Sequence, residues 1–262
     1  MSWELAILVG GMTAEVALIL LLFRGRVFRT LPIFFLYLCW SLLSDGLLYY
    51  VRINFPQNFF QIYIVQLVAD SILIFALLVE VAWSILRPIR NSLPKNSWIG
   101  IAVLVAVGGA ILWPIAGLAA PDQLTREGLN LFRLQQTPAI LRAVFFLALA
   151  AFSQLLSIGW RDRELQIATG LGFFSIISLG VTVIHTHQVI GVPEAGWGIP
   201  YHWLDRAVAF SYLGALVYWC AAFATQTVER REFSPQMKSM LLAVAGAART
   251  ARVDMENSTK NR

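Results

Sequence analysis

Apolar residues gather into seven stretches of membrane-spanning length, at 5–23, 31–51, 62–86, 98–120, 138–158, 165–187 and 201–223. A bilayer hydrocarbon core of about 30 Å needs about 20 residues of α-helix, so each stretch predicts a transmembrane helix. None alternates apolar and polar with period two, as barrel strands would. Pro32 and Pro138 read as first-turn prolines, where a missing N–H costs nothing. Arg87-Pro88 and Ala120-Pro121-Asp122 read as stops for the third and fourth helices. The predicted fold class is all-α: a polytopic membrane protein with a seven-transmembrane-helix bundle over residues 1–223. Residues 224–262 form a basic tail. Within it, 235–253 predicts a helix with Met237, Met240, Leu241, Val244 and Ala248 at helical spacing. Lys238, Arg249 and Arg252 suit that helix to a membrane surface, with a cytoplasmic partner docked on the basic tail as the sharper alternative.

Lysine and arginine sort by side. Arg24, Arg26 and Arg29, then Arg87, Arg90 and Lys95, then Arg161 and Arg163, precede a tail with Arg230, Arg231, Lys238, Arg249, Arg252, Lys260 and Arg262. Arg52, Arg126 and Arg133 fall in the opposite connections, and Arg142 and Arg206 lie inside predicted spans. Cationic loops stay in the cytoplasm, so the N-terminus is expected outside and the C-terminus in the cytoplasm. The expected location is the cytoplasmic (plasma) membrane. The first span lacks a basic leader region and carries Glu4 and Glu15, which argues against a cleaved signal peptide. Tryptophans fall toward span ends, Trp3, Trp113, Trp197 and Trp203 on the outer side and Trp83, Trp98 and Trp160 on the inner, as an interfacial belt would place them.

Composition agrees with that pattern. Of 262 residues, 58% are apolar and 13% charged, with a mean hydropathy of +0.68. Soluble domains run near 45–50% apolar and about 25% charged. An ordinary soluble enzyme and a disordered chain are excluded, and two cysteines, Cys39 and Cys220, do not make a disulfide scaffold. The net charge of +5 comes from the cytoplasmic side. It therefore points to membrane lipid as a partner and to no nucleic acid.

Ionisable groups inside spans are costly and mark candidate sites. They are Glu15 in the first span, Asp45 in the second, Asp70 and Glu80 in the third, Arg142 in the fifth, His185 in the sixth, and His202, Asp205 and Arg206 in the seventh. Ser175, Ser178, Thr182 and His185 form one polar stripe, Gln66 and Asp70 share a helix face, and so do Ser41 and Asp45. Turned outward, these stripes would bury polar groups in lipid. An outward-facing polar pocket between helices two, three, five, six and seven follows, with Asp45, Asp70, Arg142, Thr182, His185, His202, Asp205 and Arg206 as ligand-binding residues. Aspartates facing arginines there make buried ion pairs available. The same pairs would also serve packing alone.

His185, His202 and Asp205 are ligand types that suit zinc, although His185-Thr186-His187 puts two histidines on opposite sides of a continuing helix. A haem between His185 and His202 is the weaker cofactor reading. Other chemistries find no residues. No lysine lies inside a span for a retinal Schiff base, and there is no GxSxG, no phosphate-binding glycine motif and no CxxC. The leading functional expectation is a receptor-like or sensory protein that binds a small ligand, ion or lipid head group. The alternatives are a metal-dependent membrane hydrolase acting on lipid, with Asp45 or Asp70 as base, and a non-catalytic subunit of a larger membrane complex.

Overall fold

The computed structural model describes residues 3–86, 96–120, 125–152, 162–189 and 201–225, with Ser239 and Ala243 beyond them. Apart from those two residues, the helix expected at 235–253 lies outside the described residues. Among the described residues the α-helices are α1 (Trp3–Arg24), α2 (Pro32–Asn54), α3 (Phe59–Ile85), α4 (Ser97–Ala116), α5 (Arg126–Phe152), α6 (Arg163–Val189) and α7 (Tyr201–Ala224). Short 3-10 turns at Val27–Arg29, Pro56–Asn58 and Gly117–Ala119 complete them. Among the described residues six helices, α2 to α7, are long and apolar enough to cross a membrane.

The outer surface confirms what length suggests. Leu43, Val65, Leu104 and Leu118 are each more than 60% exposed, while Glu15, Arg142 and Ser175 are buried. That distribution is unfavourable in water and favourable in lipid, where polar groups must be satisfied inside the bundle. The protein is an integral membrane protein.

The helices close a ring: α1 packs on α2 and α7, α2 on α3, α3 on α4, α4 on α5, α5 on α6 and α6 on α7. Helix α3 also reaches across to α5 and α6. Close approach depends on missing side chains. A Cβ on Gly170 of α6 would overlap the Trp219 indole of α7, and one on Gly172 would overlap the Phe146 ring of α5.

Pro32 does open α2, and its neighbours gain an acceptor from another helix. The Ile33 and Phe34 N–H groups donate to the two Glu80 carboxylate oxygens of α3 at 2.8 and 2.9 Å. Helix N-termini expose unpaired N–H groups and a partial positive charge, so a carboxylate there is well placed. Glu80 thus joins α3 to α2.

The fifth helix corrects the sequence reading. It begins at Arg126, so Pro138 lies inside it rather than in its first turn, and Arg133 is helical rather than in a loop. The physical reason is that a hydropathy window detects lipid exposure, not helicity. Residues 126–137 are polar, yet Gln136 and Thr137 are buried against neighbouring helices. A start signal was present: the Thr125 hydroxyl accepts from the Gly128 N–H at 3.2 Å, as an N-cap does. Pro138 cannot donate to the Leu134 carbonyl. The Ser71 hydroxyl of α3, whose main acceptor is Leu67, makes a long contact of 3.5 Å to that carbonyl.

Two unlike halves result along the bundle axis. One contains the second half of α1, the start of α2, the end of α3, the start of α6 and the end of α7. It is filled by Leu18, Leu22, Phe34, Leu38, Leu77, Leu78, Val81, Leu165, Ile167, Leu216 and Trp219. Phe34 meets Trp219 edge-on with ring centres 5.3 Å apart. The Trp219 Nε1–H donates to the Gln166 carbonyl, and the Ser84 hydroxyl to Glu164 at 2.6 Å. The other half is polar.

Candidate functional site

The polar half holds an open cavity of about 470 Å³ whose wall draws on α2, α3, α5, α6 and α7. Helix α2 supplies Tyr37, Ser41 and Asp45, and α3 supplies Tyr63, Gln66, Asp70 and Ser71. Apart from Ser71, which adjoins Asp70, these positions are three or four residues apart, so one face of each helix lines the space. Helix α5 contributes Gln135, Pro138 and Arg142, α6 contributes Phe174, and α7 contributes Val208, Ala209 and Tyr212.

The charged groups differ in how they are held. The Asp70 carboxylate accepts from the Trp40 indole N–H at 2.7 Å. Arg142 is 8% exposed, lies over the Phe174 ring with 5.5 Å to its centre, and is hydrogen-bonded to Tyr37. Asp70 and Arg142 attract one another through the cavity, while no direct ion pair closes between them among the described residues. Asp45 is half-buried and makes no hydrogen bond among the described residues. It lies within Coulombic reach of both Asp70 and Glu15.

Glu15 of α1 stands behind this wall at 1% exposure. Its Oε1 accepts from the Ser41 hydroxyl at 2.9 Å and from the Tyr212 hydroxyl, and those two hydroxyls are themselves 3.0 Å apart. Its Oε2 has no partner among the described residues. This triad joins α1, α2 and α7 across a gap that the backbones of α2 and α7 do not close. Gln66 Oε1 and Arg142 Nε are also buried without partners.

Of the eight residues expected to bind a ligand, the structure brings Asp45, Asp70 and Arg142 to one cavity. It does not bring Thr182 or Arg206 to that wall. The Thr182 hydroxyl donates to the Ser178 carbonyl and accepts from Gln136, and Arg206 lies over the Trp203 ring at 5.2 Å. The backbone of α6 stays helical through Val189, beyond His185 and His187. The side chains of His185, His202 and Asp205 lie outside the described residues. Among the described residues no group of three His, Cys, Asp or Glu side chains could hold a metal ion.

The sequence reading passed over Trp40, Tyr37, Tyr63 and Tyr212, which position or line the site. Part of that signal was available in spacing: Tyr37, Ser41 and Asp45 recur every four residues on one face of the second helix. Comparison with known protein families, curated proteins and solved structures finds no match for this chain.

Proposed function

We propose that this chain is a receptor-like, sensory protein of the cytoplasmic membrane that takes a small ligand into the cavity from the outer side. In this reading α1 is a seventh span, the N-terminus is outside, and the basic tail carries the response in the cytoplasm. Thr182, His185, His202, Asp205 and Arg206 stand on the same end of the bundle as the cavity and would form its approach. Asp205 is one helical turn before the wall residues Val208 and Ala209.

The observation that carries the reading is the contrast between the two halves. A cavity with three charged wall residues ends on a closely packed apolar core, which favours binding over passage. A transporter needs polar groups along its whole route; here Glu80, Ser84 and Glu164, at the far end, are engaged in joining helices.

Thermal unfolding of the purified full-length chain in detergent, against small cations, anions and neutral metabolites, tests this. A ligand at about 100 times its Kd stabilises by about 2.7 kcal/mol, or about 5 °C or more. The variant Ala209→Phe, which fills part of the cavity, should lose that shift. Should no compound shift the wild type more than this variant, the receptor reading fails.

A further inference from the structure

Resting on the ligand-binding reading of the cavity, we propose that its ligand is an organic cation bearing an ammonium group, held by Asp45 and the aromatic wall. The argument begins with charge. Asp45 and Asp70 line the space, Glu15 lies directly behind it, and Arg142 is the one cation in the described wall. Arg142 is already committed to the wall itself, over the Phe174 ring and bonded to Tyr37, opposite Asp70. That leaves Asp45 without a hydrogen-bond donor and within reach of two further carboxylates. A carboxylate removed from water is neutralised either by a proton or by a positive charge beside it, and a cation bound in this space would supply the second.

A second observation points the same way. The Glu15 side chain is 1% exposed, is bonded through Oε1 to two hydroxyls of the cavity wall, and keeps Oε2 unpartnered. Gln66 Oε1 on the wall likewise lacks a donor, so two oxygens here want a donor against one donor, Arg142 Nε, that wants an acceptor.

Size and wall chemistry then separate an organic cation from a metal ion. A water molecule occupies about 30 Å³ of liquid, so the space of about 470 Å³ would leave a bare alkali ion loosely held. Organic ligands bind in cavities of roughly this size, about 300–1,000 Å³. Tyr63 and Tyr212 place aromatic surface beside the acidic groups. Aromatic faces attract ammonium groups, most strongly where water is excluded.

Calorimetric titration of the purified full-length chain with choline, with its neutral isostere 3,3-dimethylbutan-1-ol, and with zwitterionic glycine betaine provides the test. Choline is expected to bind at least tenfold tighter than either. Asp45→Asn should weaken choline at least tenfold and leave the isostere unchanged. Tyr63→Leu should likewise weaken choline selectively, which keeps the test valid if the first variant does not fold. Equal binding of choline and its isostere overturns the proposal, as does tighter binding of betaine or indifference to both variants. If choline fails while an anion or neutral compound stabilises the wild type and not Ala209→Phe, the cation assignment falls and the receptor reading stands. If no compound does, both fall.

Discussion

Replacing Glu80 tests how the apolar half of the bundle is held. Its two carboxylate oxygens receive the Ile33 and Phe34 N–H groups at 2.8 and 2.9 Å. Phe34 is fully buried, so water is not available as a substitute. An orphaned buried donor costs about 1–3 kcal/mol, and loss of a negative charge at a helix N-terminus adds about 0.3–1 kcal/mol. Glu80→Ala removes the acceptor of the buried Phe34 donor and of the part-buried Ile33 donor and should destabilise by about 1–7 kcal/mol. Glu80→Gln keeps one acceptor but turns an amide N–H₂ toward the other donor, and should cost about half as much. Glu80→Asp shortens the reach by one methylene and should resemble alanine. Unfolding in mixed micelles of increasing SDS content, followed by far-ultraviolet circular dichroism, measures these differences. An alanine variant within about 0.5 kcal/mol of wild type, below any single orphaned donor, would refute the reasoning. So would a glutamine variant as unstable as alanine.

Two other changes follow from the same packing. Gly170→Ala drives a methyl group into the Trp219 indole and should cost about 1–3 kcal/mol. Adding Trp219→Phe should make that methyl cheaper to accommodate, so additive losses in the double-mutant cycle would contradict the close approach. Tyr212→Phe leaves Glu15 with the Ser41 hydroxyl alone among its described partners. A membrane-buried hydrogen bond of this kind contributes about 1 kcal/mol, and the same SDS titration should show a loss of that size. A cycle of Tyr212→Phe with Ser41→Ala that shows no coupling would contradict the shared hydrogen-bond network.

Much of this geometry was legible because membrane helices obey strong local rules. Asp45 and Ser41, or Asp70 and Gln66, share faces by spacing alone, and lipid forbids turning those faces outward. Their convergence with Arg142 on one cavity follows from that constraint. Ion pairing was less legible. Opposite charges on neighbouring helices make pairing available, but Asp70 takes the Trp40 indole and Arg142 takes Tyr37 and Phe174. Glu80 shows the same difficulty from the other side. Its cost in a span is the same as that of Asp70, and only its contact with the start of α2 reveals a joining role.

Pro138 marks a further boundary of what pattern conveys. A proline preceding an apolar run looks like a helix start, whereas here the helix began three turns earlier on residues too polar to register as a span.

By itself, then, the order of residues determined that this is a membrane-embedded helical chain, where most helices lie and which faces turn inward. Those properties depend on hydrophobicity and on the 3.6-residue period, both local. Tertiary structure alone decided which of the expected side chains wall the cavity and that it ends on a packed core, that Glu80 serves α2, and that Glu15 joins Ser41 and Tyr212. Each of these depends on which helices become neighbours and at what depth, and no local spacing carries that information.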